Sequence, residues 1–362
     1  MILENALYGP SSFRLWRTPP QVRLLLPPLS SFSHDVRNGT VSKHPVISEI
    51  IGTPVHVLVQ DRKCRRRRKQ VITHLIESKL PPESLIDTEL DIQTCSPLLT
   101  LLTLARDLDT IELAMAMYEL CGNFAVFKPS PLIEELLATP EAQALSARPG
   151  AWKRVRSLAK TTAGSKSSLW MRPPLIELDD LHEFARACPP LRGKANFRKA
   201  AQLVTGVTPS PFEVQLSMLL ALPEGMGGQD MPFFTNNTDI PLTNRARGIY
   251  HHSKICADLL FEDDCGSRRI DVECQGAVVH NGEKQIIRDS DRTTALSSMD
   301  IDVLLVTYEK IADARTFRNI AETIAAKVGY TLPEQTEEFK ALENELRSPL
   351  MIDWSTLGEP SR

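Results

Sequence analysis

The 362-residue chain has no uninterrupted apolar run of the roughly 18 to 20 residues that a membrane-spanning helix needs, so no membrane partner is expected. Its opening, MILENALYGP, lacks the basic start and apolar centre of a secretory signal, which points to a cytoplasmic location. The seven cysteines (Cys64, Cys95, Cys121, Cys188, Cys256, Cys265 and Cys274) are odd in number and nowhere form C-x-x-C. That argues against a disulfide framework and a zinc ribbon. Excess positive charge is missing too. A net charge of -3 does not suit a protein that coats nucleic acid indiscriminately, so any such contact must come from local patches. No internal repeat is found.

The length suits two or three domains, each large enough to bury a core. Two proline pairs, Pro19-Pro20 and Pro27-Pro28, predict short helices and extended connections near the start. Val46 to Gln60 reads as extended because Val55, Val57 and Val59 alternate with His56 and Leu58. DRKCRRRRKQ follows immediately. Its Arg65, Arg66, Arg67 and Arg68 are candidate contacts to a nucleic-acid backbone, although an exposed connection kept soluble by charge is the simpler account of the run. Pro97 to Phe124 carries leucines and alanines at helical spacing and predicts one or two buried helices.

The words ALYGPSSFRLWRTPP, THLIESKLPPESLID and TCSPLLTLLTLARDLDTIELAMAMYELCGNF resemble, in that order, the non-DNA-binding part of the abortive-infection type IV antitoxin family. The resemblance implies an α+β domain over 1–125 with a regulatory role and a possible protein partner. Residues 126–205 then read as a helical, basic connecting region around Gly164-Ser165-Lys166-Ser167-Ser168. Residues 331–362 read as an acidic tail, packed or partly mobile.

Chemistry concentrates in residues 206–330. Ser210-Pro211-Phe212-Glu213 is a complete helix start, with serine as N-cap, proline next and glutamate at the third position. Glu213 also lies on the same helix face as Leu216 and Leu220, and an inward carboxylate needs a partner. KICADLLFED predicts a strand in which Asp258 interrupts an apolar run. RRIDVECQ alternates cleanly, so Glu273 and Gln275 project from one face. A tight connection through Asp263 to Ser267 would pair the two strands antiparallel and collect these groups. Two carboxylates at neighbouring strands suit Mg²⁺ or Mn²⁺, hard cations that favour oxygen ligands. Lys284, Arg288 and Arg292 recur every fourth residue on the next helix as a candidate DNA-contacting stripe.

The segments SPFEVQLSMLL, ADLLFED, DVECQGAVVH, RDSDRTTAL and DVLLVTYEKI resemble the endonuclease-like domain family related to very-short-patch-repair endonucleases, within the PD-(D/E)xK superfamily. The resemblance implies a restriction-endonuclease-like core, an αβββαβ mixed sheet flanked by helices. It further implies metal-dependent hydrolysis of DNA, with Glu213, Asp258 and Glu273 as metal-holding acids and Gln275 at the third motif position. His280, Asp289 and Arg292 match polar positions that recur after that motif, and His280 is a candidate for proton transfer. Where relatives usually carry an acid or lysine, this chain has Gln275, whose amide orients water but neither accepts a proton nor carries charge. The expectation is therefore a DNA endonuclease or nickase, with a catalytically inactive DNA-binding regulator, and cleavage of RNA, as alternatives.

Overall fold

A computed structural model of the chain describes residues 5–38, 41, 44–65, 68–155, 167–232, 234–275 and 282–359, without the side chains of residue 37 and of 282–286. The chain divides into two compact units. One is assembled from Met1–Val155, Ser167–Val204 and Asp353–Arg362, and the other, in its described part, is Thr205–Ile352.

In the first unit, a five-stranded mixed sheet runs in the order Val71–Leu75, Val55–Val59, Ala6–Leu7, Gln93–Cys95, Leu85–Asp87. All five residues of VHVLV are buried, because this strand lies inside the sheet and is covered on both faces. Only part of the expected extended stretch is strand. Ile47–Ile51 forms a helical turn that ends at Gly52, whose φ of 73° is a conformation other residues resist. The leucine-rich stretch forms two helices, Pro97–Leu104 and Thr110–Cys121, each capped by the residue before it, Ser96 and Asp109.

The stretch expected to be a connecting region is instead largely built into this first unit. Phe124–Val126 pairs antiparallel with Leu169–Met171, which also pairs with Lys153–Arg154. The helices Leu178–Ala187 and Lys194–Gln202 complete it, with Phe197 fully buried. Residues 156–166, which hold much of the basic composition, lie outside the described residues. Of the two expectations for the C-terminal segment, the described residues follow the packed one: Glu337–Leu350 is a helix of the second unit, and Trp354 is buried in the first.

The second unit is a four-stranded mixed sheet with helices, in the order Ile301–Thr307, Arg269–Gln275, Lys254–Glu262, Phe234–Pro241. The last of these, an edge strand reading FTNNTDIP, has the composition of a loop. The central hairpin is antiparallel, as its alternation predicts, with Leu259 opposite Val272 and Leu260 opposite Asp271. Asp263 closes its turn: it accepts from the amides of Ser267 (2.7 Å) and Arg268 (3.1 Å) and from the Ser267 hydroxyl (2.8 Å). The helix Gly282–Ser297 crosses over to Ile301–Thr307, which pairs parallel with Arg269–Gln275. Ile301–Thr307 is an edge strand with Asp302 and Leu305 exposed. Ala314–Val328 packs its Phe317, Ile320 and Ile324 inward and stops at Gly329.

Candidate functional site

Three separate elements of the second unit bring acids together. Ser210 caps the helix Pro211–Ala221 by accepting from the Glu213 amide (3.3 Å), and its hydroxyl donates to Glu213 Oε1 (2.7 Å). Glu213 therefore does serve its own helix start. That accounts for one carboxylate oxygen only. Its other oxygen, Oε2, is buried and accepts no hydrogen bond, in a residue 5% exposed. Burial, then the neighbouring Asp258 carboxylate, hold the Glu213 carboxyl well above the usual range.

Asp258 stands where the sheet ladder relaxes. The register that pairs Leu259 with Val272 places Asp258 level with Glu273, yet the paired residues stop one short of it. On the other side the ladder runs through Ala257 and Thr238, then resumes at Leu259 and Asn236. The residue passed over there, Asn237, has a φ of 49°, an uncommon conformation that asparagine tolerates better than most residues. Asp258 Oδ2 accepts from the Cys274 amide at 2.8 Å. Burial and the Glu273 charge outweigh that bond and raise the Asp258 pKa to about 6.

Glu273 and Gln275 share a face, but Gln275 is exposed at the strand end while Glu273 is partly buried. Two residues before Glu273 on the same strand, opposite Leu260, is an acid that the sequence does not single out. Asp271 is fully buried, and neither of its oxygens accepts a hydrogen bond. Burial pushes its pKa up to about 9, helped by the adjacent Glu273, which favours the protonated form. Its sequence signal was weak, because alternation with Arg269 and Glu273 makes it look like one more polar residue on a wet face.

Among the described residues, Arg292 is the cation that meets this cluster. Its Nη2 donates to Glu273 Oε1 in a very short contact and to the Cys256 carbonyl (2.6 Å), and stands 3.7 Å from Asp271 Oδ2. Burial works against its charge, yet the bond to Glu273 and the surrounding acids hold its pKa above the ordinary value. The expected basic stripe is thus broken: Arg288 and Asp289 are exposed, Arg292 turns to the acids, and the Lys284 side chain lies outside the described residues. His280 lies outside them as well.

The donor set is all carboxylate oxygen, which fits a hard divalent cation, and three buried oxygens lack hydrogen bonds. Among the described residues, no three carboxylate, imidazole or thiol groups already stand as a ready metal-ligand set. The chemistry of the donors fits Mg²⁺; their present spacing, with Arg292 on Glu273, is that of an ion-paired cluster. In the first unit, Arg65 and Arg68 of the basic run are exposed, Arg62 is paired with Glu77 (2.7 Å), and Arg66 and Arg67 lie outside the described residues. No helix is long and apolar enough to cross a membrane among the described residues.

No protein-family model, curated protein or solved structure matches the chain.

Proposed function

We propose that the second unit is a metal-dependent nuclease module of the restriction-endonuclease-like kind, acting on DNA phosphodiester bonds. The observation that carries this reading is the convergence of Glu213, Asp258, Asp271 and Glu273 with three buried carboxyl oxygens left without hydrogen bonds. Buried acids are costly unless paired, and clusters of them with displaced pKa values are candidate functional sites. The unit runs helix, strand, helix, two strands, helix and strand, so it has the strands of the αβββαβ expectation with the extra helix Asn244–Tyr250 set between the first two.

In this reading Asp258 and Glu273 hold Mg²⁺ or Mn²⁺, with Glu213 at the edge. The cation, when bound, supplies an activated water and stabilises charge on phosphoryl oxygens. Asp271, kept protonated by burial, adds no further negative charge and can donate a hydrogen bond to its neighbour Glu273. Gln275, exposed beside Glu273, offers an amide to orient the attacking water. Arg288 and, in the first unit, Arg65 and Arg68 are exposed cations suited to phosphate contacts. The first unit then serves as a regulatory or partner-binding domain, and the protein acts in the cytoplasm.

A second reading, a catalytically inactive DNA-binding regulator, draws on the Arg292–Glu273 pair, which already neutralises one of the acids. Cleavage separates the two. Purified protein with Mg²⁺ or Mn²⁺ should nick or cut plasmid DNA, and Asp258→Ala and Glu273→Ala should each lower the rate by about 100-fold or more. Intact plasmid with wild type and both variants, and intact RNA in the same assay, would discard the nuclease.

A further inference from the structure

Arg292 belongs to a helix whose other described basic residue, Arg288, faces solvent, yet its guanidinium is turned to the acids and its side chain is 23% exposed. Only Nη2 of its fork is engaged among the described residues, and both of that atom's hydrogen bonds run to the Asp258 and Glu273 strands. Such use is loose for an arginine, whose planar fork is suited to bidentate pairing. The guanidinium is close enough to offset acidic charge, but Glu213 Oε2 and both Asp271 oxygens still lack hydrogen bonds around it. A divalent cation and a guanidinium cannot share Glu273 comfortably, because like charges at one carboxylate repel. Phosphodiesters, in turn, are strong acceptors for an arginine fork.

We infer that Arg292 is a displaceable counter-ion: it occupies Glu273 while the site is metal-free, competes with the divalent cation, and is drawn away by a DNA phosphate. Metal loading and DNA binding then strengthen each other by the same factor, as linkage between two sites requires. The inference rests on the nuclease reading above, and it makes Arg292 a positioning residue that acts through Glu273. It also accounts for the absence, among the described residues, of a ready-made ligand set around acids of suitable chemistry.

The test is Mn²⁺ affinity, read by electron paramagnetic resonance, for the full-length protein with and without a hydrolysis-resistant phosphorothioate DNA duplex. Wild type should bind Mn²⁺ about tenfold tighter with the duplex, within the usual range of such couplings. Arg292→Met should bind Mn²⁺ that tightly without DNA, and the duplex should then add less than about twofold. Arg292→Lys, which keeps the charge and guards against a folding defect in the methionine variant, should retain the wild-type competition. Equal Mn²⁺ affinity in wild type and Arg292→Met, lost in Asp258→Ala, overturns the counter-ion role and leaves the metal site standing. A duplex that tightens Mn²⁺ equally in both proteins overturns it as well. Duplex binding with no Mn²⁺ uptake by any variant removes this inference and the nuclease reading together.

Discussion

In the first unit the Glu119 carboxylate is fully buried and each oxygen is used: Oε1 accepts from Arg17 Nε (2.8 Å) and the Val126 amide (2.9 Å), and Oε2 from Trp354 Nε1 (2.6 Å). Glu213 and Asp271 of the second unit are about as deeply buried, and three of their four oxygens accept nothing. A chain that can satisfy one buried acid so fully has no physical need to leave others unsatisfied. The first arrangement is what a structural charge needs; the second is what a site waiting for a ligand looks like.

The sharpest way to break this comparison is to remove the acid from each side. Glu119→Ala strands Arg17 in the interior and should cost about 3–5 kcal/mol in urea unfolding. Tryptophan fluorescence reads this cleanly, since Trp16, Trp152, Trp170 and Trp354 all lie in the first unit. Glu213→Gln should leave stability, followed by circular dichroism, unchanged or raised, because it replaces a carboxyl whose charged form burial disfavours with an isosteric neutral amide. A comparable loss in both variants would mean that the second cluster is structural after all.

Metal gives the next effect in size. At about 100 times its Kd, Mg²⁺ should stabilise the second unit by about 2.7 kcal/mol, and Asp258→Ala should abolish the shift. Calorimetric scans with and without Mg²⁺ measure it.

The paired histidines of the first unit sharpen the contrast through pH. His56 Nδ1 and His74 Nε2 are 2.9 Å apart, and Arg106 lies 3.3 Å from His74 Nδ1. Since arginine only donates, His74 Nδ1 accepts, its Nε2 carries the proton, and His56 Nδ1 accepts in turn. Burial first, then the Arg14 charge, lower the His56 pKa to about 4; burial and His56 lower that of His74 to about 3. A depressed folded-state pKa contributes stability above the unfolded value near 6.5, lost as pH falls through the folded value. The first unit should therefore weaken from about pH 6.5 down to pH 3, by on the order of 1–2 kcal/mol per histidine after allowance for solvent. Against wild type, His74→Phe should flatten the fluorescence-detected midpoint over that range. Least of all, Arg62→Ala, which removes only an exposed pair with Glu77, should leave the midpoint where it was.

The hairpin carrying Asp258 and Glu273 was legible because period-2 alternation and a polar five-residue turn are local signals. What escaped the sequence was settled by distant partners. Phe234–Pro241 was missed because its Asn and Thr residues read as loop, and it is strand only because it lines up on the Asp258 strand. Arg292 was placed on a surface stripe, since helical spacing says which residues share a face but not what that face meets. Ile47–Ile51 falls within the extended reading only because Val55 to Val59 alternate farther along, and packing folds it as a helical turn instead. Residues 126–205 passed for a connection because Phe124–Val126 finds its partner some 45 positions along the chain, at Leu169–Met171.

Trp354 follows its partner Glu119 by 235 positions, and the whole described part of the second unit is made between them. At a synthesis rate of roughly 5–20 residues per second, that is an interval on the order of 10–50 seconds. Throughout it the Arg17–Glu119 pair lacks its indole cover and the carbonyls of Trp354 and Leu357 that Arg17 later binds. The first unit to leave the ribosome is thus the last to be finished, and a chain halted inside the second unit carries an unsealed first one. Completion of the second unit is in this way recorded in the stability of the first.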